Sequence, residues 1–198
     1  MAVPRLILAS GSPRRRDLLT EAGYEFQVIP SDAEEIHDAS LSPPALTETN
    51  AKIKATPIAD QHPDAVVLGA DTLVFLDNEP LGKPSDMAEA EAMASRLVGK
   101  THQVCTGLAL IHSGATYSFH AITDVTFKAL TEAEIKSYLT LINPLDKAGA
   151  YAAQEHGEKI IERTDGSYTN VVGLPMDEVK AALADHFDIT PTGGDLSA

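Results

Sequence analysis

Three adjacent arginines, Arg14, Arg15 and Arg16, follow the small-residue run Ala9-Ser10-Gly11-Ser12-Pro13 in a chain whose formal net charge is -14. Positive charge gathered at one such point invites an anion. A short strand, a tight turn at Gly11 and a helix starting at Ser12-Pro13 would aim free backbone amides and the positive end of a helix dipole at one spot. Cations alone at that spot oppose the dipole, and an anion held between amides and guanidinium reconciles the two. Three arginines can also coat a solvated helix face. The strand, glycine and Ser-Pro context favours the anion site, with Arg14, nearest the turn, as its cation and Ser10 beside it.

A second feature is Asp71, placed directly after the apolar run Val66-Val67-Leu68-Gly69-Ala70. Carboxylates are seldom buried without a partner, a cation or a proton, although an Asp at a strand bend also serves as a turn-maker. Lys54, Lys83 and the pair Glu34-Glu35 are each unremarkable alone. Taken together, acids and cations suggest one chemistry: a phosphate ester held by Arg and Lys, with carboxylates carrying a divalent metal that bridges phosphate oxygens.

Other chemistries lose their support on spacing. Gly99-Lys100-Thr101 imitates the end of a P-loop, but the glycine required five places earlier is Ala94. The sequence holds no G-x-G-x-x-G, G-x-S-x-G or H-E-x-x-H, and its seven histidines are scattered without ligand spacing. Cys105 is the single cysteine, which excludes an internal disulfide and a Cys-rich metal cluster and fits a reducing compartment. Asp and Glu outnumber Lys and Arg 29 to 15, so the summed field repels nucleic-acid polymers and anionic membranes. No apolar run approaches a membrane span, the N-terminus lacks the layout of a secretory signal, and a cytoplasmic location is expected.

The elements that must position these groups read as strands alternating with helices around a central hairpin, hence α/β with a mixed sheet. Strands are expected over 6–9 and 26–29, and over 65–76 with a bend at 69–72. The hairpin spans 104–111 and 117–127 through Ser113-Gly114, and a last strand lies near 159–162. The first helix begins with Ser12 as its side-chain cap and stops at Gly23. A second starts at Pro43-Pro44, carries Lys52 and Lys54, and should be kinked or ended by Pro57. Ser85 is expected to cap a third, Thr131 to Glu134 forms a capping box for a fourth, and 177–186 forms the last. One domain over 1–190 is expected, followed by a disordered tail over 191–198.

Five ordered blocks, LILASGSPRRRDLL, GADTLVFLDNEPLGKP, LVGKTHQVCTGLAL, DKAGAYAAQ and GSYTNVVGLP, resemble the Maf family of nucleotide pyrophosphatases from about Leu6 to Phe187. The resemblance implies an elongated α/β fold of the Maf/ITPase type, a strongly twisted mixed sheet flanked by helices with a cleft between two lobes, often dimeric. It implies hydrolysis of nucleoside triphosphates to monophosphate and pyrophosphate with a divalent metal, Mg2+ or Mn2+. A cytoplasmic role in removing unwanted nucleotides, with a link to arrest of cell division, comes with it.

Carried over by position, the family's catalytic acid falls on Asp71 and its other acidic residue on Glu34, the pair expected to hold the metal. Its phosphate-binding cations fall on Arg14, Lys54 and Lys83. Arg14, Thr72 and Gln154 resemble the subgroup acting on dTTP and UTP, with Gln154 able to read a uracil or thymine edge. The family's usual GAYGIQGRG is GAYAAQEHG here, which places Glu155 and His156 where Gly and Arg are usual. A 7-methyl-GTP or broad-specificity relative, an enzyme acting on inosine-type triphosphates and a non-catalytic nucleotide-binding regulator of septum formation stand as the alternatives.

Overall fold

Apolar β-branched runs supply the strands and proline-led stretches open two of the helices, in an order that produces the mixed α/β architecture expected. The computed structural model describes residues 3–38 and 40–192. The chain forms β1 (Leu6–Leu8), α1 (Pro13–Glu21), β2 (Phe26–Val28), α2 (Pro43–Gln61), β3 (Val66–Leu76), β4 (Glu79–Leu81) and α3 (Met87–Leu97). The hairpin β5 (Thr101–His112) and β6 (Ala115–Phe127) follows, then α4 (Glu132–Leu139), three 3-10 turns, β7 (Ile161–Asp165), α5 (Tyr168–Val172) and α6 (Met176–Phe187).

Seven strands make one sheet ordered β2-β1-β3-β5-β6-β7, with β4 beside the far end of β3. β1 runs parallel to β2 and β3, and the remaining pairs are antiparallel. Side chains alternate across β3 with period two. Val67, Leu73 and Phe75 pack on the face covered by α2, whereas Val66, Leu68 and Ala70 join the core against α1 and α6, and Val74 and Leu76 the core against α3 and α4. The opposite face of β3 thus feeds two separate cores, one at each end of the strand. Asp71 and Thr72 fall at the waist between them.

The sheet is incomplete at that waist. The register of β1 with β3 ends at Leu8↔Leu68, followed by a hydrogen bond from Ala9 N–H to Leu68 O at 2.8 Å, while β4 begins only at Val74↔Leu81. Residues 69–73 therefore have no strand partner on that side, although β5 pairs with them continuously on the other.

Four local expectations are corrected. β3 runs unbroken through Gly69, whose role is close approach: a Cβ there would lie 2.3 Å from Ala51 O in α2. α2 is not ended by Pro57 and runs on to Gln61, held on the sheet by buried Ala51, Ala55 and Ile58. Ser12 makes no side-chain cap, and its own N–H donates to Ser10 Oγ at 3.2 Å. Asp86, not Ser85, caps α3, accepting Glu89 N–H at 2.8 Å, while Ser85 bonds the Glu89 carboxylate.

The capping box at Thr131 forms as expected. α5 is an element the sequence reading omitted, capped by Ser167. Thr192 N–H donates to Gly23 O at 2.9 Å. The expected disorder of 193–198 lies outside the described residues. Among the described residues no helix is long and apolar enough to cross a membrane.

Candidate active site

The gap in the sheet gathers groups from both faces of β3. On the α2 face, Asp71 is nearly sealed from solvent, its side chain 4% exposed, and it shares Lys54 with a second carboxylate. Lys54 Nζ lies 2.9 Å from Asp71 Oδ1 and 2.5 Å from Glu35 Oε1, and also donates to Ala70 O at 3.4 Å. Asp71 Oδ2 accepts from Asn50 Nδ2 at 3.1 Å. Asn50 and Lys54 stand four apart on α2, so one helix face presents both to the same carboxylate.

On the other face Arg15 is buried and each arm of its guanidinium is used. Nε donates to Gly173 O at 3.0 Å, Nη1 to Ser10 Oγ at 3.2 Å and Nη2 to Thr72 Oγ1 at 3.0 Å. Thr72 also bonds Thr106 Oγ1 at 2.9 Å, which donates onward to Asn170 O at 3.2 Å. Burial pushes the Arg15 guanidinium below its ordinary range, the Asp71 charge pulls it back and Arg14 adds to the lowering. It remains a cation at neutral pH.

Glu35 feels the same field with opposite sign. Burial opposes its ionisation, but the hydrogen bond and charge of Lys54, with Lys83 and Arg15, hold its carboxyl below the usual 4.5. A third cation, Lys83, thus acts on Glu35 from the loop after β4, where it is exposed. Arg14, 28% exposed, pairs with Asp146 at 4.0 Å.

The fold therefore brings together Ser10, Lys54, Asp71 and Thr72, with Arg14 and Lys83 at the rim. It adds two groups that the sequence reading passed over. The carboxylate beside Lys54 is Glu35, whereas Glu34 is exposed and has no hydrogen bond or ion pair among the described residues. The arginine directed inward is Arg15. Gln154 is exposed on a separate segment, where its Nε2 donates to Glu155 Oε1 at 3.3 Å. Glu155 also pairs at 3.4 Å with Lys147, whose buried ammonium donates to Asp146 Oδ1 at 2.8 Å and Asn143 O at 3.0 Å. This segment borders the site through Gly149 N–H, which donates to Gly82 O at 3.0 Å beside Lys83.

Two carboxylates facing several cations in a gap at the end of a parallel strand suit a polyanionic ligand. The family model described as Maf-like protein matches residues 5–186. The chain belongs to the Maf family. Among curated Maf relatives, a dTTP/UTP pyrophosphatase of Akkermansia muciniphila is 48% identical over 181 residues, covering 91% of this chain and 96% of that protein. Proteins of the same name from Bacillus anthracis and Bacillus cereus are 44% identical over 187 residues, covering 94% of this chain and 98% of each. The matched region includes every group described above.

Proposed function

We propose that the chain hydrolyses dTTP and UTP to the monophosphate and pyrophosphate, as the names of its relatives state for those proteins. The observation that carries this reading is the buried Asp71, held by Lys54 and Asn50 at a gap lined by cations. A water oxygen attacks the α-phosphorus in line and Asp71 accepts its proton. The new P–O bond replaces the bond from the α-phosphorus to its bridging oxygen, whose electron pair leaves with pyrophosphate. Lys54, Lys83, Arg14 and Arg15 offset the charge that develops on that leaving group. Gln154 reads the pyrimidine edge from the neighbouring segment.

The donor set also bears on the divalent metal. Among the described residues no group of three or more His, Cys, Asp or Glu could hold a metal ion. Two hard carboxylates fit Mg2+ or Mn2+ as an ion that takes its remaining ligands from water and phosphate oxygens. In this reading Asp71 and Glu35 would hold it, Glu35 replacing the Glu34 of the sequence expectation, and it would supply charge neutralisation at the phosphates. Homodimer assembly and cytoplasmic residence complete the proposal, the first tested by sedimentation velocity and the second by cell fractionation.

The decisive experiment offers purified protein dTTP, UTP, GTP, 7-methyl-GTP and ITP, with and without Mg2+ or Mn2+, and measures pyrophosphate. Release from dTTP and UTP, reduced about a hundredfold or more in Asp71→Asn, is the expected result. Release chiefly from 7-methyl-GTP or ITP refutes the base assignment, and release from none refutes the enzyme.

A further inference from the structure

We propose that Asn50 is the positioning residue of this site, fixing the Asp71 carboxylate and the acidic loop relative to each other independently of Lys54. The inference rests on Asp71 acting as proposed above. Asn50 is fully buried within α2, where a polar amide is costly unless paired. Its Nδ2 donates to Asp71 Oδ2 at 3.1 Å and to Ile36 O at 3.2 Å, and its Oδ1 accepts Ile36 N–H at 2.9 Å.

Only one amide orientation satisfies these three partners. Turning it over would set Oδ1 against Asp71 Oδ2 and Ile36 O, and Nδ2 against the Ile36 N–H. The two atoms bonded at Ile36 belong to the residue after Glu35, so one side chain ties the loop that carries Glu35 to the strand that carries Asp71.

Lys54 makes the parallel connection one helical turn later, between Asp71 Oδ1 and Glu35 Oε1. The two links differ in what a triphosphate does to them. Lys54 is a flexible point charge that phosphate oxygens compete for, and its bond to either acid is free to exchange during turnover. Asn50 is neutral, short and buried, and both of its donors are already spent on Ile36 O and Asp71 Oδ2, so it has none left for a phosphate oxygen. It therefore holds the carboxylate plane and the loop while Lys54 changes partners. Asn50 acts through the Asp71 carboxylate, whose Oδ2 it holds.

The test compares Asn50→Ala with Asn50→Asp. Alanine removes all three bonds. Aspartate keeps an acceptor for the Ile36 N–H, but sets a carboxylate oxygen against both Asp71 Oδ2 and Ile36 O, where each had a donor. Both are expected to lower kcat for dTTP and UTP by ten- to a hundredfold, the range for losing a hydrogen bond to a charged group, with KM within about threefold because Arg15, Lys54 and Lys83 remain. Amide exchange at Ile36 should accelerate in Asn50→Ala and by less in Asn50→Asp. That second readout needs no turnover, so it judges Asn50 even if the wild-type chain released no pyrophosphate and the proposed reaction fell.

A kcat within threefold of wild type in Asn50→Asp overturns the role at Asp71. Unchanged Ile36 exchange in Asn50→Ala overturns the tie to the loop. A deficit in Asn50→Ala that vanishes on cooling well below its Tm reduces Asn50 to a stabilising residue and also overturns the proposal.

Discussion

Lys54 is the side chain whose loss most directly tests the electrostatics of the site. Replacing it by Met preserves volume and helix propensity while removing the cation that Asp71 and Glu35 share. Glu35 is 31% exposed and can turn toward water, so the damage concentrates on Asp71, only 4% exposed, which among the described residues keeps Asn50 as its donor. Breaking a buried pair from one side costs about 3–5 kcal/mol, and the surviving Asn50 bond places this case near the lower end. With a urea slope of about 2 kcal/mol/M, the midpoint by far-UV circular dichroism should fall by about 1.5 M. Asp71→Asn in the Lys54→Met background should then cost at least about 1 kcal/mol less than in wild type, because the uncompensated charge is gone. The effect has a defined pH dependence. Since Glu35 is held below 4.5, its share of the Lys54 contribution is complete above that pH and disappears as pH falls through the lower folded value. An unchanged urea midpoint, or a coupling under about 0.5 kcal/mol, would refute the shared cation.

Arg15→Lys should destabilise by about 2–4 kcal/mol and lower kcat/KM more than tenfold, since one ammonium cannot reach Gly173 O, Ser10 Oγ and Thr72 Oγ1 at once. Arg16→Lys, at an exposed position beside Asp17, should stay within about 0.5 kcal/mol in the same melts. Gly107→Ala would put a Cβ 2.2 Å from Thr47 C and 2.3 Å from Glu48 N, lifting α2 at a cost of about 3 kcal/mol or more. Gly82→Ala meets nothing within 4 Å and should melt like wild type. Burial lowers the His102 imidazole from 6.5 to about 4, so the unfolded chain binds the extra proton first and stability should fall by up to about 3 kcal/mol as pH drops through that window. His102→Gln should flatten that part of the curve in urea titrations at stepped pH.

How far the site could be read from the sequence depended on whether a residue lay in a periodic element. Asp71 stood out because a charge followed an uninterrupted apolar run, and the strand it occupies formed. Arg15 carried a signal that proximity to the turn obscured: residues 15, 18, 19 and 22 share helical spacing, and Leu19 is buried. An arginine in line with the leucines faces the interior, whereas Arg14 and Arg16 flank it. Asn50 was legible on the same ground, since 47, 50, 51, 55 and 58 form the buried face of α2 and an Asn there needs a partner. Glu34 and Glu35 offered no such guide. They occupy an irregular loop without a period, and only the tertiary position of Asn50 and Lys54 decides which one turns inward. Gly69 misled for a related reason, because close approach by a helix and a strand bend leave the same mark in one sequence.

The position of the site follows from strand length. β1 is three residues long and turns into α1 at Ala9 to Ser12, while β4 joins β3 only from Val74. Had β1 continued for five more residues, it would have paired with Gly69 to Leu73 and filled the gap with backbone. Its early end leaves that stretch of β3 to be answered by side chains instead: Lys54 on Ala70 O, Arg15 on Thr72, Asn50 on Asp71. Because period-two alternation sends Asp71 and Thr72 to opposite faces, a gap at this point is what lets the α2 cation and the α1 guanidinium act on one ligand. In an acidic chain, cations gathered there are placed where a polyanion can be bound without lowering the repulsion of the surface as a whole.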